Sequence, residues 1–151
     1  MITDRVDNIT RIPDDYRSAL PPAPKSVKIE LTANCDFKCF YCATGSRLRD
    51  KGEIDWDFYC RIVQEMRDAG VEELGVFYLG ESFLYKKLPE AIDFAKNVAG
   101  YPYVFLTSNG RMASPERVGA CIEAGLDSLK FSFNYADPEQ CIDITRVDAF
   151  D

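Results

Sequence analysis

A chain of 151 residues with 46% apolar side chains is of single-domain length, enough to bury roughly two-thirds of the surface its unfolded form exposes. Its 18 basic and 25 acidic residues leave a net charge of −7, so no surplus of Lys and Arg exists to neutralise a phosphate backbone, and nucleic acid is not an expected partner. There is no histidine, which removes His general-base chemistry, Ser-His-Asp and Cys-His pairs, and every zinc site that needs imidazole.

The opening residues form no apolar targeting segment, and no apolar run approaches the ~18 residues of a membrane span. The chain reads as soluble and cytoplasmic, with no membrane partner. In such a reducing compartment its six cysteines are better metal ligands than disulfide partners, and three of them are clustered.

In chain order, residues 1–26 carry Pro13, Pro21, Pro22 and Pro24 without a sustained period, which predicts an extended arm leading into a domain over residues 27–151. Val27 to Leu31 reads as a strand. Trp56 to Ala69 reads as a helix, with Asp55 as its N-cap, Tyr59, Ile62, Val63 and Met66 on one face, and Gly70 as its stop. A second strand, Glu73 to Leu79, precedes a helix with Pro89 in its first turn and Ala91, Ile92, Ala95 and Val98 on its apolar face. Tyr103 to Thr107 then reads as a strand, and Ser114-Pro115 starts a helix carrying Val118, Cys121 and Ile122 towards Gly125. A fourth strand, Ser128 to Phe133, leads to a helix start at Asp137-Pro138, with Gln140 at the capping-box position.

Strands alternating with helices across short loops predict an α/β fold of parallel strands joined by right-handed crossovers, either a doubly wound sheet or part of a (β/α) barrel. The second and fourth strands are apolar enough to be covered on both faces. In either architecture ligands gather at the carboxyl ends of the strands.

After the first strand comes Cys35-Asp36-Phe37-Lys38-Cys39-Phe40-Tyr41-Cys42, three thiols within eight residues on one loop. Thiolates are soft ligands that suit zinc or iron–sulfur clusters. Structural zinc would want a fourth protein ligand, yet Cys60, Cys121 and Cys141 stand singly and read as apolar fillers. A four-iron cluster held by three cysteines leaves one iron open to a substrate or cofactor.

The Cys-x3-Cys-x2-Cys spacing, with an aromatic residue before the third Cys and just after the first strand, resembles the radical S-adenosylmethionine (radical SAM) enzymes. The likeness is to the peptide- and small-molecule-modifying branch related to the SPASM group. It implies a partial (β/α) barrel, of which about four units are present, so that the chain is expected to be the N-terminal part of a longer protein or to be completed by another chain. It implies that Cys35, Cys39 and Cys42 bind a [4Fe-4S] cluster whose fourth iron takes the amino and carboxylate groups of S-adenosylmethionine.

Leu79-Gly80-Glu81-Ser82 resembles the family's Gly-Gly-Glu-Pro motif, departing at Leu79 and Ser82. The likeness implies that Gly80 and Glu81 receive the methionine ammonium, a sound charge-assisted contact. Thr107-Ser108-Asn109-Gly110 resembles a Thr-x-Asn-Gly turn found after the third strand. Ser132 matches a position that contacts the cofactor, Arg146 resembles an Arg that pairs with the methionine carboxylate, and Tyr41 is implied to lie along the adenine.

The function implied is reductive cleavage of S-adenosylmethionine to a 5′-deoxyadenosyl radical, which takes hydrogen from a peptide or small-molecule substrate. A ferredoxin or flavodoxin is implied as electron donor. The alternative is a non-catalytic metal-binding or electron-relay module built on the same triplet, and a remoter one an inactive scaffold that binds a partner. Arg47, Arg49 and Lys51 read as a solvated loop, and Asp55, Ser114 and Asp137 as helix caps.

Overall fold

The structure is a computed structural model that describes residues 14–45 and 50–150. The start of the proline-bearing arm and two of the three basic residues after the cysteines, Arg47 and Arg49, lie outside the described residues. Among the described residues four strands form one sheet in the order β1 (Ser26–Lys28), β2 (Glu73–Gly75), β3 (Tyr103–Ser108), β4 (Ser128–Phe131). All three pairings are parallel, with Val27 beside Leu74, Leu74 beside Val104, and Leu106 beside Leu129. The helices between and after them are α1 (Trp56–Asp68), α2 (Leu88–Asp93), α3 (Pro115–Glu123) and α4 (Pro138–Thr145). The α/β expectation is met.

Local chemistry fixes the helix starts. Asp55 accepts from the Phe58 N–H at 2.9 Å, Ser114 from Arg117 and Asp137 from Gln140, so each cap predicted from sequence satisfies an otherwise orphaned donor. Pro89, Pro115 and Pro138 occupy first turns, where a missing N–H costs nothing. One core unites these elements: Leu74, Val76, Val104 and Leu106 from the sheet segments pack with Tyr59 and Val63 of α1, Ala91 and Ile92 of α2, and Cys121 of α3.

Three expectations change. Sheet pairing stops at Lys28, Gly75 and Phe131, short of Leu31, Leu79 and Phe133. In β2 the reason is a side chain: Ser82 Oγ donates to the Val76 carbonyl at 2.8 Å, which folds residues 76–82 into a loop. Val98 is exposed instead of sharing the face of Ala91 and Ala95, because α2 widens into a π turn over Phe94–Val98, closed by Ala99 N–H to Phe94 O at 2.8 Å, which rotates the next residues off the stripe. Ile122 also faces solvent, leaving Cys121 as the buried contact of α3.

The sheet is not equally covered on its two faces: the expected cover on both sides holds for β2, which is buried throughout, and fails for β4, where Lys130 and Phe131 are exposed. Along β3 Val104, Leu106 and Ser108 are buried while the alternate Tyr103, Phe105 and Thr107 are half-buried, and Phe131 and Phe133 are exposed. Gly75 belongs to the less covered face, where an added Cβ would meet Lys28, Phe77 and Phe105 at 3.0 Å.

Candidate active site

The carboxyl ends of the strands are welded to the loop that carries the three cysteines. At Gly80 an added Cβ would stand 1.8 Å from the Thr32 carbonyl oxygen, so only glycine permits this approach of the two backbones. On either side of that contact the Gly80 N–H donates to Glu30 at 3.1 Å and the Glu81 N–H to the Asn34 carbonyl at 2.8 Å. Thr44, just past the last cysteine, donates to the Leu79 carbonyl at 3.0 Å and lies 2.9 Å from Cys42 Sγ. The far side of the loop hangs on the end of α4, through Lys38 N–H to Thr145 O and Phe40 N–H to Ile144 O.

The result is a cavity of about 240 Å³ whose wall includes Cys35, Cys39, Cys42, Gly80, Glu81 and Ser132. Tyr41, Asn109 and Thr145 also contribute. Seven of the eight site residues read from the sequence therefore meet in one place. The eighth, Arg146, does not line it: it is exposed, caps α4 in the left-handed conformation at φ 61°, and directly follows Thr145 in the wall. Tyr41 is largely exposed, with its hydroxyl accepting from Asn134 Nδ2 at 2.8 Å.

Glu81 is the most heavily supported side chain of the site. Buried at 3% exposure, its Oε1 accepts from the Phe83 N–H at 3.0 Å and Ser108 Oγ at 2.9 Å, and its Oε2 from the Asn109 N–H at 2.8 Å. Burial raises its carboxyl above the ordinary value, and these three hydrogen bonds pull against that rise. A carboxylate offers about four lone-pair sites, so one remains, on Oε2. Ser132, whose N–H donates to Ser108 O at 2.9 Å, is half-buried and belongs to the same wall.

The three cysteines are free thiols, each half-buried. Burial pushes Cys35 up to about 11, with a lesser push from the neighbouring carboxylates Asp36 and Glu81, and burial likewise raises Cys39. Metal ligation reverses that by removing the protons outright. Among the described residues no group of three or more His, Cys, Asp or Glu side chains is gathered closely enough to hold a metal ion, and the three cysteines line the same cavity. Three soft donors around such a space, with no imidazole and no fourth cysteine in the wall, fit a cluster that keeps one iron free.

A second, wider cavity of about 710 Å³ adjoins the first and shares Phe37, Asn109 and Tyr135 with it. Its wall adds Arg111, Phe133, Asp148 and Phe150. The volume falls in the range of small-molecule pockets. Residues that the sequence reading left without a role here are Asp36, Thr44 and Ser82, whose contacts depend on loops brought together by the fold; Asn109 was visible only as a turn residue.

Parallel strands with a cysteine-bearing loop fastened across their carboxyl ends define an α/β scaffold with a cysteine-lined cavity at its strand ends. Comparison with known proteins gives the family. The model of the radical SAM superfamily matches residues 29–151, and the chain belongs to that superfamily, whose members are enzymes using a [4Fe-4S] cluster and S-adenosylmethionine. Among curated relatives, the chain is 30% identical to the GTP 3′,8-cyclase of Chlorobaculum tepidum over 125 residues, covering 83% of this chain and 37% of that one. It is 30% identical to the PqqA peptide cyclase of Streptomyces rochei over 117 residues, covering 77% and 31%. Among solved structures, SuiB of Streptococcus suis bound to its precursor peptide SuiA shares the fold with a TM-score of 0.71 at 18% identity, over 85% of this chain and 28% of that one. The chain thus spans well under half the length of these relatives. Among the described residues no helix is long and apolar enough to cross a membrane.

Proposed function

We propose that this chain carries the cofactor half of a radical SAM active site, with Cys35, Cys39 and Cys42 each holding one iron of a [4Fe-4S] cluster and the fourth iron left to S-adenosylmethionine. The observation that carries the reading is the shared wall: three free thiols, the Gly80-Glu81 turn and Ser132 line one cavity at the strand ends. When bound, the reduced cluster supplies the electron that cleaves S-adenosylmethionine to methionine and a 5′-deoxyadenosyl radical able to take hydrogen from an unactivated carbon.

The chain's own residues bind and orient. Glu81, held by three protein donors, offers its remaining lone pair on Oε2 to the methionine ammonium beside the Gly80 backbone. Ser132 would offer its hydroxyl to the ribose side, and Tyr41 would meet the adenine through its backbone. Arg146 stands next to the wall as the partner of the methionine carboxylate. Electrons would come from a ferredoxin or flavodoxin.

The larger cavity is the place for the substrate, a peptide or small molecule. A peptide is supported by the peptide bound to SuiB and named in the PqqA cyclase, and a small molecule by the GTP of the 3′,8-cyclase. The test is 5′-deoxyadenosine formation by anaerobically reconstituted protein given S-adenosylmethionine and a strong reductant. Product is expected from the parent and lost in Cys39→Ala; product at the parent rate in that variant would overturn the ligand assignment. Zinc without sulfide would instead favour a metal-binding module.

A further inference from the structure

Asn109 joins three parts of the site that are distant in sequence. Its N–H donates to Glu81, its Nδ2 donates to Asp36 Oδ1 at 2.8 Å and stands 3.9 Å from Cys35 Sγ, and its Oδ1 accepts from the Arg111 N–H at 3.0 Å. This pattern fixes the amide's orientation, since the flipped form would set donor against donor at Arg111 and oxygen against oxygen at Asp36.

Asp36 is the other half of the arrangement. It directly precedes Phe37 on the cysteine loop and follows Cys35, its side chain is only 13% exposed, and among the described residues its buried Oδ2 has no hydrogen-bond partner. The Arg111 guanidinium stands 3.8 Å from that oxygen and is 41% exposed. A shielded carboxylate with one oxygen unsatisfied is costly to keep. Its position beside Cys35 gives its charge an electrostatic consequence.

We propose that Asp36 and Asn109 are positioning residues that set the reduction potential of the cluster held by Cys35, with opposite signs. The inference rests on the ligand assignment of the preceding section. A fixed negative charge beside a ligand sulfur opposes the addition of an electron and lowers the potential. An N–H directed at that sulfur, and at the carboxylate itself, favours the electron and raises it. Arg111 offsets Asp36 from a longer distance and in a more exposed setting, so its contribution has the sign of Asn109's and a smaller size.

The experiment is a potentiometric titration of the full-length protein, reconstituted anaerobically and followed by the electron paramagnetic resonance of the reduced cluster. Iron and sulfide are counted for every variant. Asp36→Asn keeps the side chain's size and an acceptor for Asn109, and is expected to shift the midpoint upward. Asn109→Ala is expected to shift it downward, Arg111→Gln downward by less, and Glu123→Gln, an exposed change on α3, not at all. Equal midpoints, or shifts of one sign in both Asp36→Asn and Asn109→Ala at full cluster loading, would overturn the proposal. Should Asn109→Ala fail to load, Asp36→Asn decides alone: an upward shift supports the proposal and no shift overturns it. A parent protein that takes up iron but no sulfide would overturn the ligand assignment, and this inference with it.

Discussion

The helix-covered side of the sheet and its carboxyl edge are built on opposite terms. Beneath the helices, Leu74, Val104, Leu106, Tyr59, Val63 and Ile92 make an apolar layer, and two of the tyrosines in this core donate to backbone carbonyls, Tyr59 Oη to Ala91 O at 2.7 Å and Tyr101 Oη to Val63 O at 2.9 Å. At the carboxyl edge a buried carboxylate and three protonatable thiols share one cavity wall, beside Asp36, whose Oδ2 has no hydrogen-bond partner among the described residues. The first region is what burial and hydrogen bonding favour. The second tolerates unfavourable groups because Gly80, Thr44 and Asn109 lock its loops together, and such concessions are typical of working sites.

The largest effect should come from the lock itself. Gly80→Ala places a methyl group against the Thr32 carbonyl, where backbone and not a pliant side chain must give way, and is expected to cost about 3 kcal/mol in urea unfolding. A loss under ~1 kcal/mol would mean that the two loops separate easily, and the contrast between regions would weaken.

Next comes Glu81→Gln. An amide cannot accept from all three donors, and its NH2 opposes at least one of them, so a loss of about 2 kcal/mol near neutral pH is expected. The pH dependence sharpens this. Because the folded carboxyl is raised above its ordinary value of 4.5, the folded chain binds a proton more readily than the unfolded one. The stability linked to Glu81 is therefore fully present below about pH 4.5 and declines as pH rises through the folded value. Denaturation of the metal-free protein across that window should show the decline in the parent and its absence in the Gln variant.

Smaller effects belong to the apolar side. Tyr59→Phe removes a buried hydroxyl and leaves the Ala91 carbonyl unpaired by it, an expected cost of about 1 kcal/mol with no change in cluster content. Asp55→Ala removes the cap of α1 and should likewise cost about 1 kcal/mol, or somewhat less, without touching the site. A change in iron or sulfide in either variant would show that the two regions are not separable.

The same division governs what could be read from the sequence. Caps such as Asp55, Ser114 and Asp137 act on the N–H three residues ahead, so they were legible, as was the stripe of Tyr59 and Val63. The cysteine triplet and Glu81 were legible because motif spacing and strand ends coincide. Val98 was misplaced because a π turn alters the helical period without a sequence signal as plain as proline. Ser82, Thr44, Asp36 and Asn109 could not be given their structural roles, since their partners Val76, Leu79 and Cys35 are set opposite them only by the fold or by a loop closure. Arg146 matched by position along the chain, yet the left-handed cap of α4 leaves it outside the cavity wall.

The open fourth iron is the centre of the functional reading, and electron paramagnetic resonance of the reduced, reconstituted protein with and without S-adenosylmethionine tests it most directly. A cluster signal that changes when S-adenosylmethionine is added, and that is absent from Cys39→Ala, is the expected result. A cluster signal indifferent to S-adenosylmethionine would contradict it, leaving the three cysteines as ligands of a closed, non-catalytic centre.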